Sequence, residues 1–201
     1  MGLTTIWMTL HDMSPENGPG IVSPAFDEVI ASLGHVGFAC ATRPGHVPDD
    51  GLAASFTCTS DSLDVFDLLE VLIWSGAVFT LIAPRAGTVS MYMGCYALDV
   101  VEIEGAPLAL LDAKSDDDAY ALLNEWVKTQ PYTDAEPPVG YSPQSVVVML
   151  HHAWAGKIKR DRFVVTAEQV DGFASAAAEF REGWSDWVAA RRGRAIVGPS
   201  L

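Results

Sequence analysis

The stretch AVFTLIAPRAGTVSMYMGC, residues 77–95, decides the fold class. Two apolar, strand-favouring runs flank the turn-forming tetrad Pro84-Arg85-Ala86-Gly87. A link this short joins antiparallel neighbours, because a parallel crossover needs a dozen residues or more. The pattern predicts strands over 77–83, 88–104 and 107–112, with Gly-Ala-Pro turning between the last two. This is also the most apolar part of the chain, since residues 71–98 carry one charge, Arg85. Ser75-Gly76 and the 84–87 turn cut it into pieces well short of the roughly 20 residues a membrane-spanning helix needs. It reads as core.

Toward the N-terminus, residues 3–10 alternate Thr and Trp with Ile, Met and Leu, which predicts a strand. A Pro/Gly/Asn loop follows from Asp12 to Gly20. Ser23-Pro24 then opens a helix whose apolar residues are Phe26, Val29, Ile30 and Leu33, with Gly34 at its exit. Strands are predicted over 36–42 and 53–59, joined by a loop from Arg43 to Leu52. A second helix covers 61–74, with Ser60 and Ser62 as start signals and Gly76 after it. Its apolar residues run nearly all round, so it is buried on several sides.

Toward the C-terminus, Ser115 caps a helix to about 129 with Leu122, Leu123, Trp126 and Val127 on one face, and Pro131 stops it. Residues 131–142, PYTDAEPPVGYS, hold three prolines and read as a linker or loop. Ser142-Pro143 suggests a further helix start, although Val146-Val147-Val148 would also suit a strand. The last helix carries a Thr166/Gln169 capping box and a Val165/Val170 staple. Its apolar stripe is Val170, Phe173, Ala174, Ala177, Phe180, Trp184, Trp187 and Val188. No internal repeat or low-complexity tract is visible. The expected architecture is therefore α+β, a mixed, mainly antiparallel sheet packed by helices. It divides into an acidic α+β domain (1–130), the 131–142 linker, and a helical C-terminal portion (143–201) on the same core.

Charge is unevenly spread over the 201 residues. Residues 1–130 hold eighteen acids against four bases, Arg43, Arg85, Lys114 and Lys128; residues 143–201 hold six acids and eight bases. Residues 1–100 contain two arginines and no lysine. Such a lobe repels nucleic acid and anionic lipid and attracts basic surfaces at long range. The partner class that follows is a basic protein, with no direct nucleic acid and no membrane.

Candidate partner-binding residues are Asp49, Asp50, Asp61, Asp64, Asp67 and Glu70. The last four recur every three residues, drifting 60° per step on a helix, so they wind through 180° and cannot converge on one ion. They can present a negative edge, and tryptophans left outside the core would serve as anchors. The basic end, Arg191, Arg192 and Arg194, complements a helix C-terminus. A third reading folds this tail back onto the acidic lobe, or onto that of a neighbouring copy.

Other chemistry is thinly signalled. Asp116-Asp117-Asp118 lacks the alternating layout of a calcium loop and fits the first turn of a helix. Cys40, Cys58 and Cys95 are odd in number, with no Cys-x-x-Cys, which argues against a disulfide scaffold or a thiolate zinc site, and Cys40 and Cys58 lie in strand-like runs that suit buried free thiols. Adjacent His151 and His152 point about 100° apart on a helix and chelate poorly together. No Gly-x-Ser-x-Gly, Walker or Gly-x-Gly-x-x-Gly motif occurs. No cofactor or metal is expected. The start MGLTTIWMTLHD lacks the features of a secretory signal, so a cytoplasmic setting is expected.

These features favour a non-catalytic acidic inhibitor, immunity or antagonist protein that occludes a basic partner, such as one that handles nucleic acid. One alternative is a small enzyme using a loop-borne group, His11, Asp12, His46 and Asp49. Another is an assembly subunit of a phage or multiprotein complex that associates through its Trp-rich terminal helix.

Overall fold

The structure, a computed structural model, describes residues 4–12, 23–43, 53–85, 87–95, 99–114 and 167–195, with 118, 121, 122, 125, 126 and 129 individually. The described elements are β1 (Thr4–His11), α1 (Phe26–Val36), β2 (Ala39–Thr42), β3 (Ala53–Ser60), α2 (Val65–Ser75), β4 (Val78–Pro84), β5 (Thr88–Cys95), β6 (Asp99–Pro107), a 3-10 turn (Leu108–Asp112) and α3 (Ala167–Ala195). The six strands form one sheet in the order β2-β3-β1-β4-β5-β6, and all five pairings are antiparallel. The class is α+β.

Each of the first two helices carries the chain past one strand. α1 leads from β1 to β2 with β3 between them, and α2 leads from β3 to β4 with β1 between them. These are two interleaved split β-α-β units. The β5–β6 strands then extend the sheet from β4. The Arg85 N–H bonds the Thr88 carbonyl at 2.8 Å and closes the turn that residues 84–87 announce.

Several boundaries differ from the sequence reading. α1 runs through Gly34 to Val36 and ends on Gly37, which takes the left-handed conformation (φ 116°) that Gly34 was expected to supply. The expected strand 36–42 shortens to 39–42, because Gly37 and Phe38 complete the helix exit. The single strand expected over 88–104 is two, β5 and β6, and Gly105-Ala106-Pro107 ends β6 rather than turning. Residues 108–112 form the 3-10 turn instead of a strand. A run of apolar residues cannot by itself separate these outcomes.

Period-two alternation builds two cores. Ile6, Met8 and Leu10 of β1 share one face with Cys58, Phe79, Leu81 and Tyr92. That face receives Val29 and Leu33 of α1 and Leu68, Leu69, Leu72 and Ile73 of α2, all buried. The opposite face carries Trp7, Ile82, Val89 and Met91, covered by Leu110 of the 3-10 turn and by Leu122 and Trp126. Residues 118, 121, 122, 125 and 126 are helical, in keeping with the helix expected over 115–129. The 131–142 linker and the element expected after Ser142-Pro143 lie outside the described residues.

α3 begins at Ala167, the residue after Thr166, and packs on α2. Ala177 and Trp184 are buried, with Phe180, Trp187 and Val188 packed beside them. Ala174, placed in the stripe by spacing, is exposed. No helix among the described residues is long and apolar enough to cross a membrane.

Gly94 marks a close approach within the sheet. It faces Phe79 across the β4–β5 ladder, and an added Cβ would fall onto the Phe79 ring, which is itself buried. Gly94→Ala therefore forces Phe79 out of place and costs about 1–3 kcal/mol, the usual penalty of overpacking. Chemical denaturation of both proteins measures the difference.

Candidate functional site

The acidic edge is built around the start of α2. Asp64, not Ser60 or Ser62, is its N-cap: the carboxylate accepts from the N–H groups of Phe66 (2.8 Å) and Asp67 (3.2 Å). Asp67 returns the bond, accepting from the Asp64 N–H at 2.8 Å, so two aspartates form a complete capping box. Ser60 supports the turn before it, its hydroxyl accepting from the Leu63 N–H at 3.2 Å. The every-third-residue spacing thus has a structural origin in part. Asp61 lies in the preceding turn, Asp64 caps, and only Asp67 and Glu70 stand within the helix.

α3 closes on this edge. Arg192 donates to Asp64 Oδ1 at 3.1 Å and to Asp67 Oδ1 at 3.4 Å, while its guanidinium lies 5.4 Å from the Phe66 ring centre. Arg192 of the basic end thus meets the acidic lobe, while the side chains of Arg191 and Arg194 lie outside the described residues. These groups are too exposed for the pair to add much stability. Between α2 and α3 runs a groove of about 340 Å³ with Glu70, Trp184 and Val188 along it and the Asp67–Arg192 pair in its wall.

Every arginine whose side chain is described is held against the fold. Arg43 lies over the Trp7 ring at 3.9 Å and donates to the Ala113 carbonyl at 3.1 Å. Arg181 lies 5.5 Å from the ring centre of Trp74, an exposed tryptophan. Arg85 donates to Ser90 (3.0 Å) and Tyr92 (2.9 Å), and Arg192 is bound as above. The acids are disposed the other way. Asp27 and Glu28 on α1, Asp61 and Glu70 at α2, and Glu179, Glu182 and Asp186 on α3 are all exposed. No ion pair among the described residues engages any of these seven. Among the described residues, the helical side therefore carries uncompensated negative charge. Asp49 and Asp50 lie outside the described residues.

The histidine-centred alternative looks different in three dimensions. His11 is the last residue of β1, in register with Ala53 and Val78, rather than part of a loop. It is 6% exposed, and its Nε2 is 3.1 Å from the Thr80 hydroxyl. Burial holds the imidazole neutral, pulling its pKa from 6.5 to about 4. Its immediate hollow is otherwise lined by Leu10, Pro24, Phe26, Val29, Ala77 and Val78. Asp12 is half-buried beside it, and His46 and Asp49 lie outside the described residues. Asp118 is exposed, whereas Asp116, Asp117, His151 and His152 are not described. Among the described residues, no three His, Cys, Asp or Glu side chains are grouped to hold a metal ion.

One polar cluster has no counterpart in the sequence reading. Arg85, seen there only as a turn residue, reaches back along β5 to Ser90 and Tyr92, and its guanidinium is 3.8 Å from Glu102 of β6. Tyr92 is wholly buried under Phe66. Burial and the Glu102 carboxylate push its phenol up to about 12, against the opposing pull of Arg85. The signal was available in principle: Ser90 and Tyr92 are two apart and so share one face of a strand beginning at the Arg85 turn. Comparison with protein families, curated proteins and solved structures finds no match for the chain.

Proposed function

We propose that this chain is a non-catalytic binding protein that offers an acidic helical surface to a basic protein, acting as an inhibitor, immunity or antagonist protein. The observation that carries the reading is the contrast between the anchored arginines and the exposed acids of the helical side. The described arginines are anchored to rings, carbonyls, hydroxyls and carboxylates of the fold, while seven acids on the helical side face solvent with no ion pair among the described residues. A surface of one sign raises association rates with the opposite sign and disfavours partners of like charge. Asp61 and Glu70 belong to this surface with their carboxylates free of described ion pairs, whereas Asp64 and Asp67 cap α2 and are engaged by Arg192.

The test is affinity capture from the source organism at low ionic strength, followed by a high-salt wash. The expected outcome is one dominant partner of high isoelectric point that salt releases. Retention of neutral or acidic proteins only, or of the same proteins regardless of salt, or of nothing, overturns the proposal.

A further inference from the structure

Strands β2 and β3 set two cysteines opposite each other: Cys40 pairs with Cys58 in the ladder. Three positions on, the Arg43 N–H bonds the Ser55 carbonyl at 2.8 Å, which marks a hydrogen-bonded pair an odd number of residues away. By the alternation of an antiparallel ladder, Cys40 and Cys58 then occupy a non-hydrogen-bonded pair, whose Cα atoms come to about 4.5 Å. That separation lies inside the range a disulfide spans, near its short limit. The side chains meet accordingly, with the two Sγ atoms 2.7 Å apart and both thiols free. Cys95, on β5, is separated from β3 by β1 and β4.

The two thiols are not equivalent. Cys58 is fully buried in the main core, whereas Cys40 is half-buried on a four-residue edge strand and open to solvent on one side. The Cys58 thiol hydrogen-bonds Cys40, which lowers the Cys40 pKa and raises that of Cys58. Cys40 is therefore the better placed to attack from solution, and Cys58 to resolve.

We infer that Cys40 and Cys58 form a redox pair that interconverts between a dithiol and a cross-strand disulfide, with a low-molecular-weight disulfide such as glutathione disulfide as oxidant. The Cys40 thiolate attacks one sulfur of the oxidant; its S–S bond breaks and one glutathione thiolate leaves. Cys58 gives its proton to solvent and attacks Cys40 Sγ, displacing the second glutathione thiolate. Two protein thiols lose two protons and two electrons, and one oxidant disulfide becomes two thiols. The new bond ties the edge strand to β3 and closes the chain between residues 40 and 58 into a ring. With Cys40 partly open to solvent, the link stays within reach of a reducing thiol.

The experiment incubates the folded full chain with glutathione disulfide, alkylates the remaining thiols, and digests without reduction using a protease that cuts before aspartate. Asp49 and Asp50 lie between the two cysteines, so cleavage there separates them into peptides 27–48 and 50–60. The expected result is that these two peptides stay linked in most molecules while Cys95 is alkylated, and that reduced glutathione reverses the link. Oxidation in denaturant should lower the share of this pairing several-fold, and Cys40→Ser should abolish it. Alkylation of both cysteines after oxidation of the folded protein, pairing of either with Cys95, or a stable glutathione adduct on Cys40 would each overturn the inference.

Discussion

Lowering the pH from 7 to 4 is expected to weaken the fold through His11 by about 3 kcal/mol, the linkage value of a pKa held near 4 in the native state against 6.5 in the unfolded chain. The native imidazole sits among apolar side chains with the Thr80 hydroxyl as its hydrogen-bond partner, so it resists a proton that the unfolded chain accepts readily. Between pH 6.5 and 4 the unfolded state binds more protons, and stability rises with pH across that window. The full contribution is present above 6.5 and is lost as the pH falls toward 4. Carboxylates titrate in the lower part of the same range, so the test is a difference between two proteins. His11→Leu strands the Thr80 hydroxyl, a constant penalty at every pH. Its unfolding free energy should nevertheless converge on that of the wild type as the pH drops from 7 to 4, and then meet or exceed it. Parallel curves would mean that His11 is not held neutral by burial.

Trp184→Ala is expected to release α3 from the rest of the molecule. Trp184 is 5% exposed and stacks on Trp187 with ring centres 4.9 Å apart, and Trp187 in turn meets Phe66 of α2 edge-on at 6.3 Å. Truncating a buried tryptophan typically costs about 3–5 kcal/mol in lost transfer energy and unfilled volume. α3 packs chiefly on α2, so the loss should fall on that docking rather than on the sheet. Hydrogen exchange should show amides of 177–192 losing protection while those of β1, β3 and β4 keep theirs. Arg192 would leave Asp64 and Asp67 in the same event, exposing two further carboxylates. Uniform loss of protection across sheet and helix would show instead that α3 and the sheet unfold as one unit.

Much of the architecture was legible because it is written locally. The apolar run 77–83, the Pro84–Gly87 turn and Gly76 after α2 each act through residues within a few positions, and they led directly to an antiparallel, α+β reading. Boundaries failed where two local signals competed. Gly34 and Gly37 both suit a helix exit, and only the packing of Leu33 and Phe38 favours the second. Ser60, Ser62 and Asp64 are all capping residues, and the Asp64–Asp67 reciprocity settles the choice. The site was legible as composition but not as geometry. A surplus of acids says nothing about where the arginines go, and Arg192 meets Asp64 across 128 positions of sequence. The Cys40–Cys58 pairing was hidden for the same reason: cysteines 18 positions apart are uninformative until the register of two strands sets them opposite each other.

The proposed recruitment of a basic protein rests on the unpaired carboxylates of the helical side. Its most direct test is the association rate with the captured partner, measured across ionic strength for the wild type and for Asp61→Asn/Glu70→Gln/Glu179→Gln/Glu182→Gln. None of these four side chains is buried, so the fold should persist. The expected result is a wild-type rate that falls steeply with salt, and a variant about tenfold slower at low salt with a much flatter dependence. Equal rates for the two proteins, unchanged by salt, would contradict it.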